Sequence, residues 1–469
     1  MPRTITIDPI TRLEGHGKIS IFLDDDGGVR DCFFQIPELR GFERFVVGRP
    51  IEELPRIVTR ICGVCPASHH MASAKAVDGC FGGEIAPLAP KLRDMYYQAH
   101  YIHSHIAHFY ALAAPDFVCG PDADPATRNI LGLVAKVGLE IGGKVIAARS
   151  MAQKIQQILG GRTTHLVWCL PGGVSKGLTP EELAEVRPLA AQLYDFTQFS
   201  LQLFRDLVLG NPGYVEMILK GPYTLDIQQM GLVDENNAPN FYDGQVRVVD
   251  YEGKEICRYA PAEYADHVAE HVEPWTYLKF PYLKQRGWKG FEEGIDSSIY
   301  CATPLSRLNV ADRMATPRAQ EAYEEMFRTL GQKPCRALLA QHWARLVEMV
   351  QNAETLQRYC DDPEITGTRF RVVPQRITGE GVGIVEAMRG TLTHHYTCDE
   401  QGICTSANLI VGTTNNNAPI QMTVKKVAQA VIVPGKEVTQ GILNRLEMGF
   451  RAFDPCFSCA THTLPGQMP

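Results

Sequence analysis

The sequence lacks several features that mark common classes of protein. It has no run of about 18 apolar residues, so no membrane span is predicted. No block of basic residues stands out and the formal net charge is −7, which argues against nucleic acid as a partner. The N-terminus has no apolar signal core, and no Gly-x-Gly-x-x-Gly follows a predicted strand. The chain itself is therefore not expected to bind flavin or NAD.

The 14 cysteines of this 469-residue chain are too sparse for a disulfide scaffold. Ten of them are scattered without metal-ligand spacing, which favours buried free thiols in a reducing compartment. The cytoplasm is therefore the predicted location.

The remaining four cysteines form two Cys-x-x-Cys pairs far apart in the chain. The first is Cys62-Gly-Val-Cys65, followed by His69, and the second is Cys456-Phe-Ser-Cys459, followed by His462. Spacing alone leaves structural zinc, an iron–sulfur cluster and a catalytic thiolate site open. Because almost the whole chain separates the pairs, the fold itself would have to assemble such a site.

The periodicity predicts an α+β, predominantly helical fold in a single domain of residues 1–469. It has a long central helix bundle and small antiparallel sheets at the N-terminus and in the second half. The predicted regions are an N-terminal β region (1–37), a helical core with the first cysteine pair (38–210), an irregular β-containing excursion (211–310), and helices and strands that end in the second pair (311–469).

Three local predictions are specific enough to be tested. Apolar residues at three- and four-residue spacing predict a helix over 91–114 that stops at Pro115. Residues 127–159 are predicted to form one long helix, ended by Gly160-Gly161. Alternating residues predict a strand over 369–373.

The residues around both pairs, Arg60 to His69 and Asp454 to His462, resemble the two signature motifs of [NiFe]-hydrogenase large (catalytic) subunits. Further segments resemble other motifs of that family, in order along essentially the full chain: Ile10 to His16, Leu39 to Glu43, Gly160 to Gly173, and Glu386 to Gly390. The resemblance implies the large-subunit fold and the reversible heterolytic cleavage of H2.

The resemblance also implies two metal sites. Cys62 and Cys456 would be terminal nickel ligands, while Cys65 and Cys459 would bridge nickel to an iron that carries CO and cyanide. Soft thiolates suit both metals. Glu43 and His462 match a second site for Mg2+ (or Fe2+), which prefers oxygen and imidazole ligands with water.

Catalytic roles follow from the same resemblance. H2 is a very weak acid, so a metal must polarise it before a base can take the proton. Cys456 is the expected proton acceptor and Glu14 the expected relay. Arg389 would donate hydrogen bonds to the cyanides, His69 would support the bridging thiolates, and Asp454 would orient the last motif.

The other ten cysteines lack the spacing of iron–sulfur cluster ligands, so they provide no electron path away from the site. An iron–sulfur small subunit is therefore the expected partner. The second half resembles cytoplasmic multisubunit hydrogenases. Further partners would be heterodisulfide-reductase-like subunits or, as the second choice, flavin- or NAD(P)-binding subunits. Two alternatives stay open: a structural quinone-site subunit of a complex I type assembly, and a scaffold stabilised by zinc or an iron–sulfur cluster.

The sequence departs from the family pattern at four places, one of which is His165-Leu166 in the central motif, where His-Pro is usual. Met388 stands where proline is common, and Ser104 stands where many relatives have aspartate. Residues 463–469 continue past His462, where the family is typically cut, so we expect a tail that is uncut or cut later than usual. A mass ending at His462 in nickel-loaded protein would contradict this expectation.

Overall fold

Three antiparallel strands begin the computed structural model, which describes residues 4–461. They are β1 (Thr4–Ile7), β2 (Lys18–Leu23) and β3 (Val29–Gln35), paired in that order. The alternating apolar residues of β2 and β3 face the core, and a turn at Asp24–Gly28 joins the two strands. The predicted N-terminal sheet is therefore present, and it holds the segment with Glu14 between β1 and β2.

Helices dominate residues 42–220. They are α1 (Phe42–Phe45), α2 (Leu54–Ile57), α3 (Pro66–Cys80), α4 (Ala89–Ile106), α5 (Ala114–Val118), α6 (Ile130–Val137), α7 (Leu139–Gly160), α8 (Pro180–Phe204) and α9 (Pro212–Lys220). A short hairpin of β4 (Cys169–Leu170) and β5 (Gly173–Val174) lies between α7 and α8. Gly161 ends α7 in the left-handed conformation, with φ 74°, as expected for a C-terminal glycine.

Two of the helix predictions were wrong in detail. Pro115 does not stop a helix: α4 continues as a π-helix over Ala107–Ala113, and Pro115 lies in the first turn of α5. Pro115 thus lies inside a continuous helical run from Ala89 to Val118, directly after the π-helical segment that changes the hydrogen-bond pattern. Gly138, with φ 89°, divides the predicted 127–159 helix into α6 and α7.

Residues 221–301 contain two small sheets and one short helix. The elements are β6 (Gln228–Val233), β7 (Gln245–Val249), β8 (Glu255–Tyr259), α10 (Tyr264–His267), β9 (Val268–Val272), β10 (Lys279–Leu283) and β11 (Tyr300–Cys301). One sheet has the order β11-β6-β7-β8 and the other is the β9–β10 hairpin. The region carries strands, as its composition predicted.

The rest of the described chain is α11 (Pro304–Val310), α12 (Pro317–Leu330), α13 (Gln341–Asp361), β12 (Glu380–Ala387), β13 (Gly390–Cys398), β14 (Cys404–Ile410), α14 (Asn417–Val431), α15 (Gln440–Arg451) and α16 (Phe457–Ala460). The predicted strand over 369–373 was wrong. That segment makes an isolated bridge from Arg371 to Gly173. Its partner, the β4–β5 hairpin, has only two residues per strand and supports no longer ladder.

A bundle of α4, α7, α8 and α13 forms the centre of the molecule, and α3 packs against the β12–β13 hairpin. The approach of α3 to β12 depends on glycine, because a Cβ atom at Gly381 would lie 1.9 Å from the carbonyl oxygen of Ala76. The architecture is α+β and predominantly helical, as predicted. No helix within residues 4–461 is long and apolar enough to cross a membrane.

Candidate metal centre

The two cysteine pairs meet in the interior of the protein. The four Sγ atoms of Cys62, Cys65, Cys456 and Cys459 all lie within 4.8 Å of one another. Cys62 Sγ is 3.3 Å from Cys456 Sγ, and Cys65 Sγ is 3.3 Å from Cys459 Sγ. No side chain of the four is more than 4% exposed. Sequence reasoning placed these residues together, and the fold brings them within reach of a common metal centre.

The first pair is positioned by local structure. A 3-10 turn over Val58–Ile61 delivers Cys62, and Cys65 is the N-cap of α3. The backbone N–H groups of Val64 and Cys65 each donate to Cys62 Sγ at 3.2 Å. These donors, together with the positive end of the α3 dipole, favour a thiolate here.

The second pair is positioned by contacts with distant segments. After α15 the chain turns at Asp454, whose φ of 52° lies in the left-handed region that aspartate tolerates. Cys456 then forms a parallel bridge with Glu14, and the N–H of Phe457 donates to the Glu14 carbonyl at 3.0 Å. The N–H of Cys456 donates to Thr413 Oγ1 at 3.1 Å. Thr413 was not anticipated from the sequence.

Glu14 lies directly against the second pair. The Cys456 thiol donates to Glu14 Oε2 at 3.0 Å, and the N–H of Ser458 donates to the same oxygen at 3.1 Å. Glu14 is half-buried, whereas Cys456 is fully buried. The carboxyl group therefore connects a buried sulfur to the exterior, which suits a proton relay.

The four thiols share negative charge unequally. Burial alone raises the pKa of Cys62, but hydrogen bonds from the other three thiols, aided by Arg389, lower it well below the usual value. Burial, together with the sulfurs of Cys62 and Cys65, raises the pKa of Cys456 and of Cys459 well above the usual value. A bound metal cation would favour the thiolate at all four positions.

Arg389 brings a positive charge to the cluster. It is 4% exposed, and its Nη2 lies 2.9 Å from Asp454 Oδ2. Its Nε and Nη1 have no hydrogen-bond partner among residues 4–461. Buried donors without partners beside four thiols fit a metal centre that carries small hydrogen-bond-accepting ligands. The donor set thus fits the nickel–iron group that the motifs imply.

Of the two ligands expected for the second metal site, only Glu43 is described. Its Oε1 accepts the Leu409 N–H at 2.9 Å, and Lys279 Nζ lies 3.4 Å from the same oxygen. Lys279 also pairs with Glu270 at 3.2 Å. His462 lies outside the described residues, as does the tail 463–469.

His69 is buried on α3, one turn beyond Cys65. Its Nδ1 lies 3.1 Å from His394 Nε2, and His394 Nδ1 lies 2.5 Å from the Tyr396 hydroxyl. Within the described part of the chain, His69 Nε2 has no hydrogen-bond partner. Burial lowers the pKa of His69 to about 4, so its ring is neutral at pH 7.

Two of the departures from the family pattern, Met388 and Ser104, lie in the interior of the protein. Met388 is fully buried, and its Sδ accepts from Ser68 Oγ at 3.7 Å, a contact that proline could not provide. Ser104 is also fully buried, and its Oγ has no partner among the described residues.

A row of buried polar residues on α13 was missed by sequence reasoning. His342, Arg345 and Glu348 are all buried on α13. Glu348 accepts from Arg307 Nε at 2.6 Å and contacts His105 Nε2 at 2.8 Å. The signal was available, because polar residues at three-residue spacing lie on one face of a helix.

Comparison with known proteins agrees with this geometry. The family described as nickel-dependent hydrogenase matches residues 40–130 and 211–462, and a family described as HoxL-like matches residues 4–39. A protein of Archaeoglobus profundus, named as an iron–sulfur subunit of an F420-non-reducing hydrogenase, is 48% identical over 100% of this chain and 96% of its own. The beta subunit of the NAD-reducing hydrogenase HoxS of Cupriavidus necator is 38% identical over 100% of this chain and 96% of its own.

Solved structures give the same result. An NAD+-reducing [NiFe]-hydrogenase in the H2-reduced state superposes with a TM-score of 0.91 at 36% identity, covering 98% of this chain and 99% of that chain. The Ni-Fe-Se hydrogenase of D. vulgaris Hildenborough, at 24% identity and a TM-score of 0.78 over 98% of this chain and 100% of its own, shares the fold. The chain belongs to the nickel-dependent hydrogenase family, as a large subunit.

Proposed function

We propose that this chain is the catalytic subunit of a [NiFe] hydrogenase that cleaves H2 reversibly into protons and electrons. The observation that carries the proposal is the buried cluster of four cysteine Sγ atoms within 4.8 Å, with the Glu14 carboxyl group 3.0 Å from Cys456 Sγ. Soft thiolates for two metals and an adjoining proton carrier are what heterolytic cleavage requires.

Close sulfur contacts join Cys62 to Cys456 and Cys65 to Cys459, both at 3.3 Å, and Cys456 to Cys459 at 2.8 Å. In the proposed arrangement Cys62 and Cys456 are terminal nickel ligands. Cys65 and Cys459 would hold both metals, and the iron would carry CO and cyanide. When bound, this metal pair supplies the electrophilic centre that polarises H2 and accepts its electrons.

The proton leaves through the chain's own groups. Cys456 Sγ takes it as the base nearest to the centre and passes it to Glu14 Oε2, which already accepts a hydrogen bond from this thiol. The Ser458 N–H holds the same oxygen in place. Because Glu14 is half-buried, its carboxyl group can release the proton outward.

Arg389 and His69 support the centre in this proposal. Arg389 has two buried donors to offer to the cyanides, and Asp454 holds its third nitrogen. One ring nitrogen of His69 contacts His394. The other has no partner among the described residues and would donate a hydrogen bond toward the bridging thiolates.

We place a second metal, Mg2+ (or Fe2+), at Glu43 and His462. The support is the half-buried Glu43 carboxylate, whose charge is shared by the Leu409 N–H and by Lys279. Loss of this metal in a Glu43→Gln variant, with nickel retained, is the expected result of metal analysis. Unchanged magnesium content would remove Glu43 from the site.

The proposed partners are an iron–sulfur small subunit, together with further electron-transfer subunits. Relatives named as F420-non-reducing hydrogenases reach 48% identity, against 38% for the NAD-reducing relative. This difference favours the branch with heterodisulfide-reductase-like partners over that with flavin- or NAD(P)-binding ones. All 14 cysteines are free, which suits the cytoplasm.

Metal and infrared analysis of the native complex tests the function. Nickel and iron at about one each per chain, with infrared bands of bound CO and cyanide, are expected. Zinc alone, or no metal in active complex, would refute the proposal and favour a scaffold. The structural quinone-site alternative is disfavoured because the four thiols are present and converge.

A further inference from the structure

One arginine in the core has no visible partner. Arg345 on α13 is fully buried, and none of its three guanidinium nitrogens has a hydrogen-bond partner among residues 4–461. Burial lowers its pKa to about 10, so it still carries its charge at pH 7. A buried cation without a hydrogen-bond partner destabilises the folded state. Its presence calls for an electrostatic explanation.

The neighbours of Arg345 show what it balances. Asp454 is the anion that most strongly favours its charge, ahead of Glu348. Glu348 is already bonded to Arg307 through both oxygens, at 2.6 and 2.9 Å. The histidines of its own helix and of α4 are neutral, because burial lowers the pKa of His342 and that of His105 below their usual value. His108, in the adjoining π-helix, is likewise neutral.

Asp454 thus lies in the field of two arginines. Arg389 Nη2 is 2.9 Å from its Oδ2, and the charge of the buried Arg345 guanidinium also favours the Asp454 carboxylate. The contact with Arg389 has the distance of an ion pair but not the angles of a hydrogen bond. Two cations share one carboxylate, so these three side chains together carry one net positive charge. On its other side Arg389 faces the charges of Cys62, Cys65 and Cys456.

We propose that Arg345 is a positioning residue. Its charge, added to the Arg389–Asp454 pair, gives the three side chains a net positive charge that acts on the metal centre. Without it, Asp454 would neutralise Arg389 alone. The centre would then feel a weaker positive field, although every residue that touches it would remain. The inference rests on the proposed function, because the field acts on the metals held by the four cysteines.

The sign of the effect follows from the charge. A weaker positive field leaves more electron density on an iron that carries CO, and this density weakens the C–O bond. The CO stretching band of Arg345→Met should therefore move to lower wavenumber. The centre should also become harder to reduce, because nearby charge tunes a metal's potential. A merely structural arginine would change stability and leave the band in place.

The experiment compares CO bands in the metal-loaded holoenzyme. Arg345→Met should lower the band, and Arg345→Lys, which keeps the charge, should restore it toward the wild-type position. Leu346→Ala, a buried truncation on the same helix, serves as the control that costs stability without changing charge. An unshifted band in loaded Arg345→Met, or an equal shift in Leu346→Ala, overturns the proposal.

Asp454→Asn provides a second arm if Arg345→Met does not load metal. This substitution removes the shared anion, so the band should move to higher wavenumber, and Arg345→Met/Asp454→Asn should return it toward the wild-type position. A downward or absent shift in Asp454→Asn contradicts the charge balance. Absence of CO and cyanide bands from the wild-type protein would instead refute the proposed function, so the two failures are distinguishable.

Discussion

The first cysteine pair is held by its own segment, whereas the second is held by segments from distant parts of the sequence. Cys62 accepts hydrogen bonds from N–H groups two and three residues away, and Cys65 caps the 15-residue helix α3. Cys456 depends on Thr413, 43 residues away, and on Glu14, 442 residues away. The first pair is therefore a preformed half of the centre, and the second pair closes it.

Removing a proposed terminal thiolate from either half should abolish metal binding, which is the largest effect expected. Cys62→Ala and Cys456→Ala should each abolish nickel retention, since each removes one of four converging thiolates. Metal analysis of the purified chain checks this expectation. Cys257→Ala, which removes a half-buried cysteine outside the cluster, is the control and should keep its nickel. Nickel at about one per chain in either cluster variant would contradict the ligand assignment.

The closing half also contacts Glu14, the proposed proton relay, so Glu14→Gln should separate metal binding from proton transfer. Hydrogen/deuterium exchange catalysed under H2 should fall by about 100-fold or more, because a general acid–base group is lost. Nickel should remain, since glutamine can still accept the Ser458 N–H. Glu38→Gln, an exposed carboxylate near the same sheet, should change neither quantity. Unchanged exchange in Glu14→Gln would remove Glu14 from the relay.

Acid should destabilise the segment that holds the first cysteine pair, because His70 on α3 becomes protonated. This ring is fully buried: its Nδ1 lies 2.7 Å from the Pro55 carbonyl oxygen, and its Nε2 accepts the Cys169 N–H at 2.9 Å. Burial lowers its pKa to about 4, whereas the unfolded chain protonates near 6.5. The unfolded state therefore binds more protons between these values, and the stability present above pH 6.5 is lost as pH falls toward 4.

The expected loss from His70 is up to about 3 kcal/mol in the free energy of unfolding, from the difference between its two pKa values. Denaturant unfolding at pH 7 and pH 5 measures it. His70→Gln should flatten this pH dependence relative to the wild type. An equal slope in both proteins would show that other groups cause the acid sensitivity.

The smallest expected effect lies in the closing half. Thr413→Val removes the oxygen that accepts the Cys456 N–H and leaves that buried group unsatisfied, at a cost of about 1–3 kcal/mol. Thr423→Val is the matched control, because Thr423 Oγ1 only donates to a carbonyl of its own helix, α14. Denaturant unfolding of the two variants should differ, and equal losses would contradict a special role for Thr413.

Motif resemblance predicted the family, the convergence of the four cysteines and the place of Glu14 beside Cys456. Local rules predicted the N-terminal sheet and the end of α7 at Gly161, because these depend on neighbouring residues. They failed at Pro115 and Gly138, where a π-helix and a positive φ decide the path of the chain. They also failed at 369–373, because a strand needs a partner that local sequence does not specify.

The role of Arg345 could not be read from the sequence for a similar reason. Its position among polar residues of α13 indicates a buried charge, but not which anion receives it. That depends on Asp454, which only the three-dimensional fold brings close. Pairwise contacts across more than one hundred residues are decided by packing, and a single sequence does not record them.

The bridge between Glu14 and Cys456 also has a kinetic consequence. A contact that closes a loop of over 400 residues must wait for the elements between its ends, because early closure of so long a loop gains little and costs entropy. The centre thus exists only in a chain that has folded correctly almost throughout. Metal loading would then act as a quality check, since misfolded or truncated chains would never present all four sulfurs together.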